Sequence, residues 1–333
     1  MRKIKISVLI VCNSPTYLRE TIKSIENQTF DHNLVEIILV LDRLEKKEIM
    51  LELLNATKIN LRIFQSQTPG VVHATNLGLG KAIGDFVAII DSDDVMLPDR
   101  LKNQIEFLEE NTDIAAVGGH IQLINENGNV IGEKKYNCSP IKIRRNVFEM
   151  VQLAHPATTY RREFIIFLGG YRDLSAPDLD LWIRVLEESN LANIDEQVIQ
   201  YRMHQNNFSK QSIFNTNIPK QIVWISHFLR INKIDHDLPQ QGKEKIWIKE
   251  KTALLQLNFP IKLALSESWH LSSEFMNLLH VVKTRPAFEK MNALFRIATN
   301  HKHELKKRLI LRIKRLIYKL YFHKKHNYKR TTN

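Results

Sequence analysis

Asp91, Ser92, Asp93 and Asp94 place three carboxylates within four consecutive residues, directly after the apolar run Phe86–Ile90. Like charges that close disfavour one another's ionisation unless a cation neutralises them. Oxygen ligands that leave room for substrate phosphates suit Mg2+ or Mn2+ better than zinc. On spacing alone a second reading is equally open, in which Asp93 and Asp94 cap the helix that follows. Other titratable residues read plainly by themselves. Asp42, which closes the apolar run Val35–Leu41, is a solvated loop acid. Asp178, just before the helical run Leu179–Glu187, sits where an N-cap would. His204, in Gln200-Tyr-Arg-Met-His204, is a surface or packing histidine.

These residues need a frame, and the sequence supplies an α/β one. Short runs rich in Val, Ile and Leu (Ile6–Val11, Val35–Leu41, Leu61–Phe64, Phe86–Ile90) alternate with the helical patterns Pro15–Gln28, Glu45–Asn55 and Val71–Ala82. That alternation predicts a mostly parallel sheet covered on both faces, its first two strands buried on both sides. Ligands of such a sheet bind beyond the carboxyl ends of its strands, and Asp91 to Asp94 lie at one such end. Pro98 suits the first position of a helix carrying Leu101, Ile105 and Leu108. Ala115–Ile124 and Val130–Tyr136, joined by Asn125-Glu-Asn-Gly128, read as an antiparallel hairpin belonging to a second, smaller unit. A helix is expected from about Asp178 to Glu188, and beyond about Gln211 the pattern is helical.

Composition narrows the function. With 333 residues, 44% hydrophobic and 25% charged, the chain is globular. Cys12 and Cys138 lie far apart, which suggests neither a disulfide framework nor a zinc site and fits a reducing cytosol. No run approaches the ~18 apolar residues of a membrane span, and the polar Asn-Ser-Pro after the first apolar run does not fit a signal peptide. The net charge of +12 is concentrated at one end: residues 302–333 hold twelve Lys/Arg and a single acid, Glu304, leaving about +1 for the rest. Basicity confined to a tail, with no recognition motif, argues against a nucleic-acid-binding protein.

The ordered segments Ser7-Val-Leu-Ile-Val-Cys-Asn13, Tyr17-Leu-Arg-Glu-Thr-Ile-Lys-Ser-Ile-Glu-Asn-Gln-Thr29, Asp91-Ser-Asp-Asp94 with Leu97-Pro-Asp-Arg-Leu101, His155-Pro156, Gly169-Gly-Tyr171 and Asp178-Leu-Asp-Leu-Trp-Ile-Arg184 together resemble the family-2 glycosyltransferases. The resemblance is to members of the GT-A fold that build bacterial surface polysaccharides such as lipopolysaccharide, and it covers about residues 1–210. It implies a Rossmann-like, nucleotide-sugar-binding mixed sheet flanked by helices; beyond the resemblance, the residue pattern itself gives a helical extension over 211–301 and a basic amphipathic tail over 302–333. The resemblance further implies an inverting transferase using Mn2+ or Mg2+, with a nucleotide-sugar donor, a UDP-sugar, and a glycan or lipid-linked acceptor. Residue by residue, Asn13 and Asp42 would contact the nucleotide and Asp91 the ribose, while Asp93 would hold the metal on the diphosphate. His204 would reach the metal or diphosphate, and Asp178 would be the base that deprotonates the acceptor hydroxyl. His155 resembles a position near the acceptor, and Asp180 would serve structure or acceptor contact.

Departures from the family pattern bear on the donor. Cys12 replaces the usual aromatic, Leu41-Asp-Arg-Leu44 stands for Asp-Asp-Gly-Ser, and Pro177 replaces the Glu before the base. The Gln-x-x-Arg-Trp motif of processive synthases is absent, which implies one sugar added per encounter. A catalytically inactive scaffold of the same fold is the alternative these changes leave open. In the tail, Leu305, Leu309, Ile310, Ile313, Leu316, Ile317, Leu320 and Tyr321 fall on one half of a helical wheel. Lys307, Arg308, Arg312, Lys314, Arg315 and Lys319 fall on the other. Such a helix either packs on its own domain or lies on an anionic membrane surface through residues 302–330, which would place a cytoplasmic protein on the inner face of the membrane.

Overall fold

Strand β1 (Ile6–Cys12) is apolar at nearly every position because it runs through the middle of a sheet. It pairs in parallel with β2 (Val35–Leu41) on one side and β4 (Phe86–Asp91) on the other, and β3 (Asn60–Gln65) extends the parallel part as a half-exposed edge. The computed structural model describes residues 3–43, 57–147, 151–174, 176–204, 218–231, 235–240 and 243–254. The four parallel strands match the expected apolar runs, the second of them at both ends.

Beyond β4 the sheet continues without interruption and becomes mixed. β8 (Thr159–Arg161) pairs antiparallel with β4 and with β6 (Ile114–Ile124), β9 (Asn190–Arg202) lies parallel to β6, and the short β5 (Val95–Met96) closes that edge against β9. The spatial order is β3-β2-β1-β4-β8-β6-β9-β5, and β7 (Val130–Lys134) hangs from β6 as the expected hairpin. Gly128 turns that hairpin with φ +80°, a conformation that costs a glycine little. The expected second, smaller unit is therefore corrected: the hairpin and the strands after it belong to the same sheet, because three-residue β8 stitches β4 to β6. So short a strand carries no readable period.

Helix α1 (Leu18–Glu26) buries Leu18, Ile22 and Ile25 on one stripe, α2 (Val71–Lys81) packs on β1 and β2, and α3 (Arg100–Glu110) buries Leu101, Ile105 and Leu108. Pro98 is not the first residue of α3. The helix starts at Arg100 with Asp99 as N-cap, and the Pro98 carbonyl instead accepts the Thr29 N–H at 3.0 Å. Four further helices follow: α4 (Pro140–Asn146), α5 (Arg162–Phe167), α6 (Pro177–Glu188) and α7 (Ile218–Ile231); α8 (Glu244–Leu254) comes after them.

The chain divides into two compact units, Met1–Ile143 with Val151–Val223, and Arg144–Met150 with Trp224–Asn333. In the second, Trp247 Nε1–H donates to the Asp237 carbonyl at 3.0 Å. The expected helix Glu45–Asn55 and the amphipathic tail lie outside the described residues. Among the described residues no helix is long and apolar enough to cross a membrane.

Candidate active site

Register alone gathers the N-terminal candidates. Cys12 is level with Leu41 and Val11 with Asp91, so Asn13, Asp42 and the acidic loop all leave the sheet at the carboxyl end of the parallel strands. Asn13 is exposed there. Asp42 is buried rather than a solvated loop acid: its N–H donates to the Cys12 carbonyl at 2.8 Å, and its Oδ1 accepts the Gly70 N–H at the start of α2, at 3.0 Å. Arg43, which stands where a glycine was expected, keeps a left-handed backbone with φ +62°, a conformation costing an L-residue roughly 1–2 kcal/mol. Cys12 is fully buried in the core and donates its thiol to the Ser14 carbonyl, so position 12 offers no stacking surface; burial pushes that thiol up to about 11.

The acidic loop is a tight turn, with the Asp94 N–H bonded to the Asp91 carbonyl at 3.2 Å. Asp91, Asp93 and Asp94 offer carboxylate oxygens that all lie within 4.8 Å of one another. Burial above all, then the charges of Asp93 and Asp178, push Asp91 up to about 7, with Arg100 opposing. Burial and the charges of Asp91 and Asp93 hold Asp94 well above the usual carboxylate range. Asp94 Oδ1 accepts the Arg202 N–H at 2.9 Å, while its Oδ2 is buried with no hydrogen-bond partner among the described residues. Three crowded acids with an orphaned acceptor constitute an environment that a divalent cation would relieve. Capping does not explain them, since the N-cap of α3 is Asp99.

Behind the loop lies Arg100, fully buried, donating to the carbonyls of Ile89 at 2.7 Å and Pro156 at 2.8 Å. Burial pulls its guanidinium down to about 9, still charged at neutral pH. It ties the strand that carries Asp91 to the segment that carries His155.

From the other half of the chain, β9 delivers His204, whose Nε2 lies 2.7 Å from Asp93 Oδ2. Helix α6 delivers Asp178. The cap reading is corrected here: the helix begins at Pro177 with Ala176 as N-cap, so Asp178 sits inside the first turn and no side chain caps that end. Its negative charge contributes to raising Asp91, Tyr136 and Tyr171. Burial lowers the His155 imidazole despite the opposing pull of Asp178, and its Nε2 lies 3.0 Å from the Tyr171 hydroxyl.

Asp180 has a different task. Fully buried, it pairs with Arg172 and with Arg184 Nε at 2.8 Å, and Arg184 also donates to the carbonyls of Leu168 at 2.8 Å and Gly170 at 2.6 Å. Gly170, with φ +69°, leaves no room for a Cβ, which would come within 2.6 Å of Asn76 Oδ1. Asn76 clasps Tyr171 at both backbone atoms, at 2.8 and 2.9 Å. Asp180 therefore shapes the turn that presents Tyr171 and fixes the start of α6.

Two other features invite a functional reading. His120, Cys138 and Asp195 also come close enough to share a metal ion. His120 Nδ1 accepts the Tyr136 N–H at 3.3 Å, so Nε2 carries the proton and donates it to Asp195 at 2.9 Å, leaving that nitrogen no lone pair for a metal. A cavity of about 470 Å³, lined by Asp85, Phe86, Arg161, Glu163 and Phe164, lies at the opposite end of β4 from the acids. Its lining brings no comparable set of converging carboxylates, so chemistry rather than volume locates the site.

Sequence reasoning missed Arg100, Arg202 and Tyr17. A signal existed for Arg202, because strand alternation counted back from His204 lands on it. Arg100 lies within the quoted motif Leu97-Pro-Asp-Arg-Leu101, but its burial depends on non-local packing that the residue type does not announce.

The chain is similar to known proteins in sequence and in fold. Residues 7–166 match the model of Glycosyl transferase family 2. The O-antigen biosynthesis glycosyltransferase WbnJ of Escherichia coli is 31% identical over 216 residues, spanning 62% of this chain and 82% of that one. In fold, the chain is similar to S. aureus TarS 1-349 solved with UDP-GlcNAc, with a TM-score of 0.56, 17% identity and coverage of 96% and 92%. It is also similar to the mannosyltransferase PcManGT from Pyrobaculum calidifontis solved with GDP-Man and Mn2+, with a TM-score of 0.51, 15% identity and coverage of 94% and 86%.

Proposed function

Because the chain belongs to glycosyltransferase family 2 and has the GT-A fold, we propose that it is an inverting, metal-dependent transferase. In this reading it moves a sugar from a UDP-sugar to a glycan or lipid-linked acceptor during assembly of a bacterial surface polysaccharide. The observation that carries the reading is convergence: His204, from the second half of the chain, lies 2.7 Å from Asp93, from the first, and the charge of Asp178 helps to raise Asp91. Asp93 and His204 would hold a Mn2+ or Mg2+ ion, whose charge offsets that building on the nucleoside diphosphate as it leaves. Asp91 faces the ribose, and Asp42 and Asn13 contact the base and its surroundings. Asp178 takes the proton of the acceptor hydroxyl while that oxygen attacks the anomeric carbon. A single displacement with no protein nucleophile inverts that carbon. The surface-polysaccharide role is supported by the O-antigen relative.

A UDP donor is supported by the TarS complex, and a GDP donor is the second reading, favoured by PcManGT. Purified protein is expected to melt higher with UDP and Mn2+ than with GDP or dTDP and Mn2+, since a ligand at about 100 times its Kd adds roughly 2.7 kcal/mol. Release of UDP from a UDP-sugar should then require an acceptor. Stabilisation by GDP alone would transfer the donor assignment, and no response to any nucleotide would favour the inactive scaffold.

Residues 302–330 serve, in this proposal, to dock the enzyme on the anionic inner face of the membrane, where lipid-linked acceptors reside. Full-length protein should sediment with anionic vesicles at low salt, and a 1–300 truncation should stay in solution. Equal recovery of the two would remove the membrane role.

A further inference from the structure

We propose that Arg202 is a positioning residue for the cation site, acting with Glu20 and Tyr17 as a clamp that holds the Asp93 carboxylate and His204 in register; this rests on the metal role proposed above for Asp93. Arg202 is 1% exposed, yet it is the last residue of a strand at the rim of the site. Its Nε donates to the Asp93 carbonyl at 2.9 Å, and its Nη1 donates to the carbonyls of Asn125 at 3.3 Å and Glu126 at 3.1 Å. Its Nη2 meets Glu20 Oε2 at 2.7 Å, and the guanidinium lies 4.3 Å from the centre of the Tyr17 ring. Through its main-chain N–H the same residue holds Asp94.

One side chain thus joins four segments that are remote in sequence: the start of α1, the acidic loop, the tip of the β6–β7 hairpin and the end of β9. All three guanidinium nitrogens are engaged, which argues against a direct contact with the donor's phosphates and for action through Asp93. Two residues on, His204 reaches the Asp93 carboxylate, its ring 6.2 Å from that of Tyr17. The main chain of Asp93 is therefore held by Arg202 while its side chain is held by His204. A planar fork can span Glu20, the Asp93 carbonyl and the hairpin carbonyls together, and a lysine ammonium cannot.

The test uses the full-length protein with UDP, titrated with Mn2+ and followed by the electron paramagnetic resonance signal of the free ion. Arg202→Lys and Glu20→Ala are each expected to weaken Mn2+ binding by about 10–100-fold, the range typical of partners that orient metal ligands. At saturating Mn2+ turnover should return to near the wild-type rate, which general damage to the fold would not permit. Glu20 is half-exposed, so its variant carries the test should Arg202→Lys fail to fold. Wild-type Mn2+ affinity in both variants, or a loss of turnover that Mn2+ does not restore, would overturn the clamp. Absence of Mn2+ binding by the wild type would instead overturn the metal reading beneath it.

Discussion

Asp178→Asn is expected to lower turnover by roughly 10²–10⁴-fold while leaving donor affinity and the melting temperature nearly unchanged. The replacement keeps shape and hydrogen-bonding capacity but cannot take a proton from the acceptor hydroxyl at neutral pH. The structure sharpens this expectation in two ways. Asp178 occupies the first turn of α6 without capping it, so no cap is lost. The neighbouring Asp180, not Asp178, anchors the local fold through Arg172 and Arg184. Asp180→Asn therefore serves as the contrast, since weakening a buried ion pair by removing one charge costs up to roughly 3–5 kcal/mol and should show first as a fall in melting temperature. Steady-state rates, nucleotide binding and thermal melts of the two variants separate base from scaffold. Loss of UDP binding in Asp178→Asn would make that residue a ligand contact and leave the base unassigned.

That contrast illustrates what the sequence could and could not disclose. Hydrophobic runs revealed the parallel core because β1, β2 and β4 are buried on both faces, and burial on both faces writes a continuous apolar run. The strand-end rule then located Asp91 to Asp94 without any contact information. What the runs could not disclose was the mixed half. β5 and β8 are two and three residues long, and their pairing is set by partners far away in sequence. Asp178 and Asp180, two positions apart on one helix, were given different tasks only by the family resemblance, and the structure adds the buried ion pairs that hold Asp180. Asp42 was underestimated because its partner is a main-chain N–H donated by Gly70, which no residue type announces. Arg43 shows the reverse, a residue in the left-handed region that favours glycine although no glycine stands there.

Asp93→Ala is expected to cut turnover by on the order of 10³-fold or more while the metal-free protein stays folded, because the residue serves the cation rather than the core. Electrostatics adds a sign that can be checked. Asp91 titrates near 7 in the folded protein against an ordinary value of 3.8, so between those pH values the fold keeps a proton that the unfolded chain has released. Its contribution to stability is therefore fully present below the ordinary value and is lost as pH rises towards 7. Asp93 is one source of that shift, and removing its charge lets Asp91 ionise more readily. The metal-free variant should consequently melt no lower than the wild type at pH 7, with the difference shrinking towards pH 4. A bound cation reverses the balance by favouring the ionised acids. Mn2+ with UDP should thus raise the wild-type melting temperature more at pH 7 than at pH 5, and should leave Asp93→Ala almost unmoved. Melts across this pH range, with and without Mn2+ and UDP, measure both effects alongside turnover. Full activity in Asp93→Ala, or in the wild type under excess EDTA, would remove the cation from the mechanism.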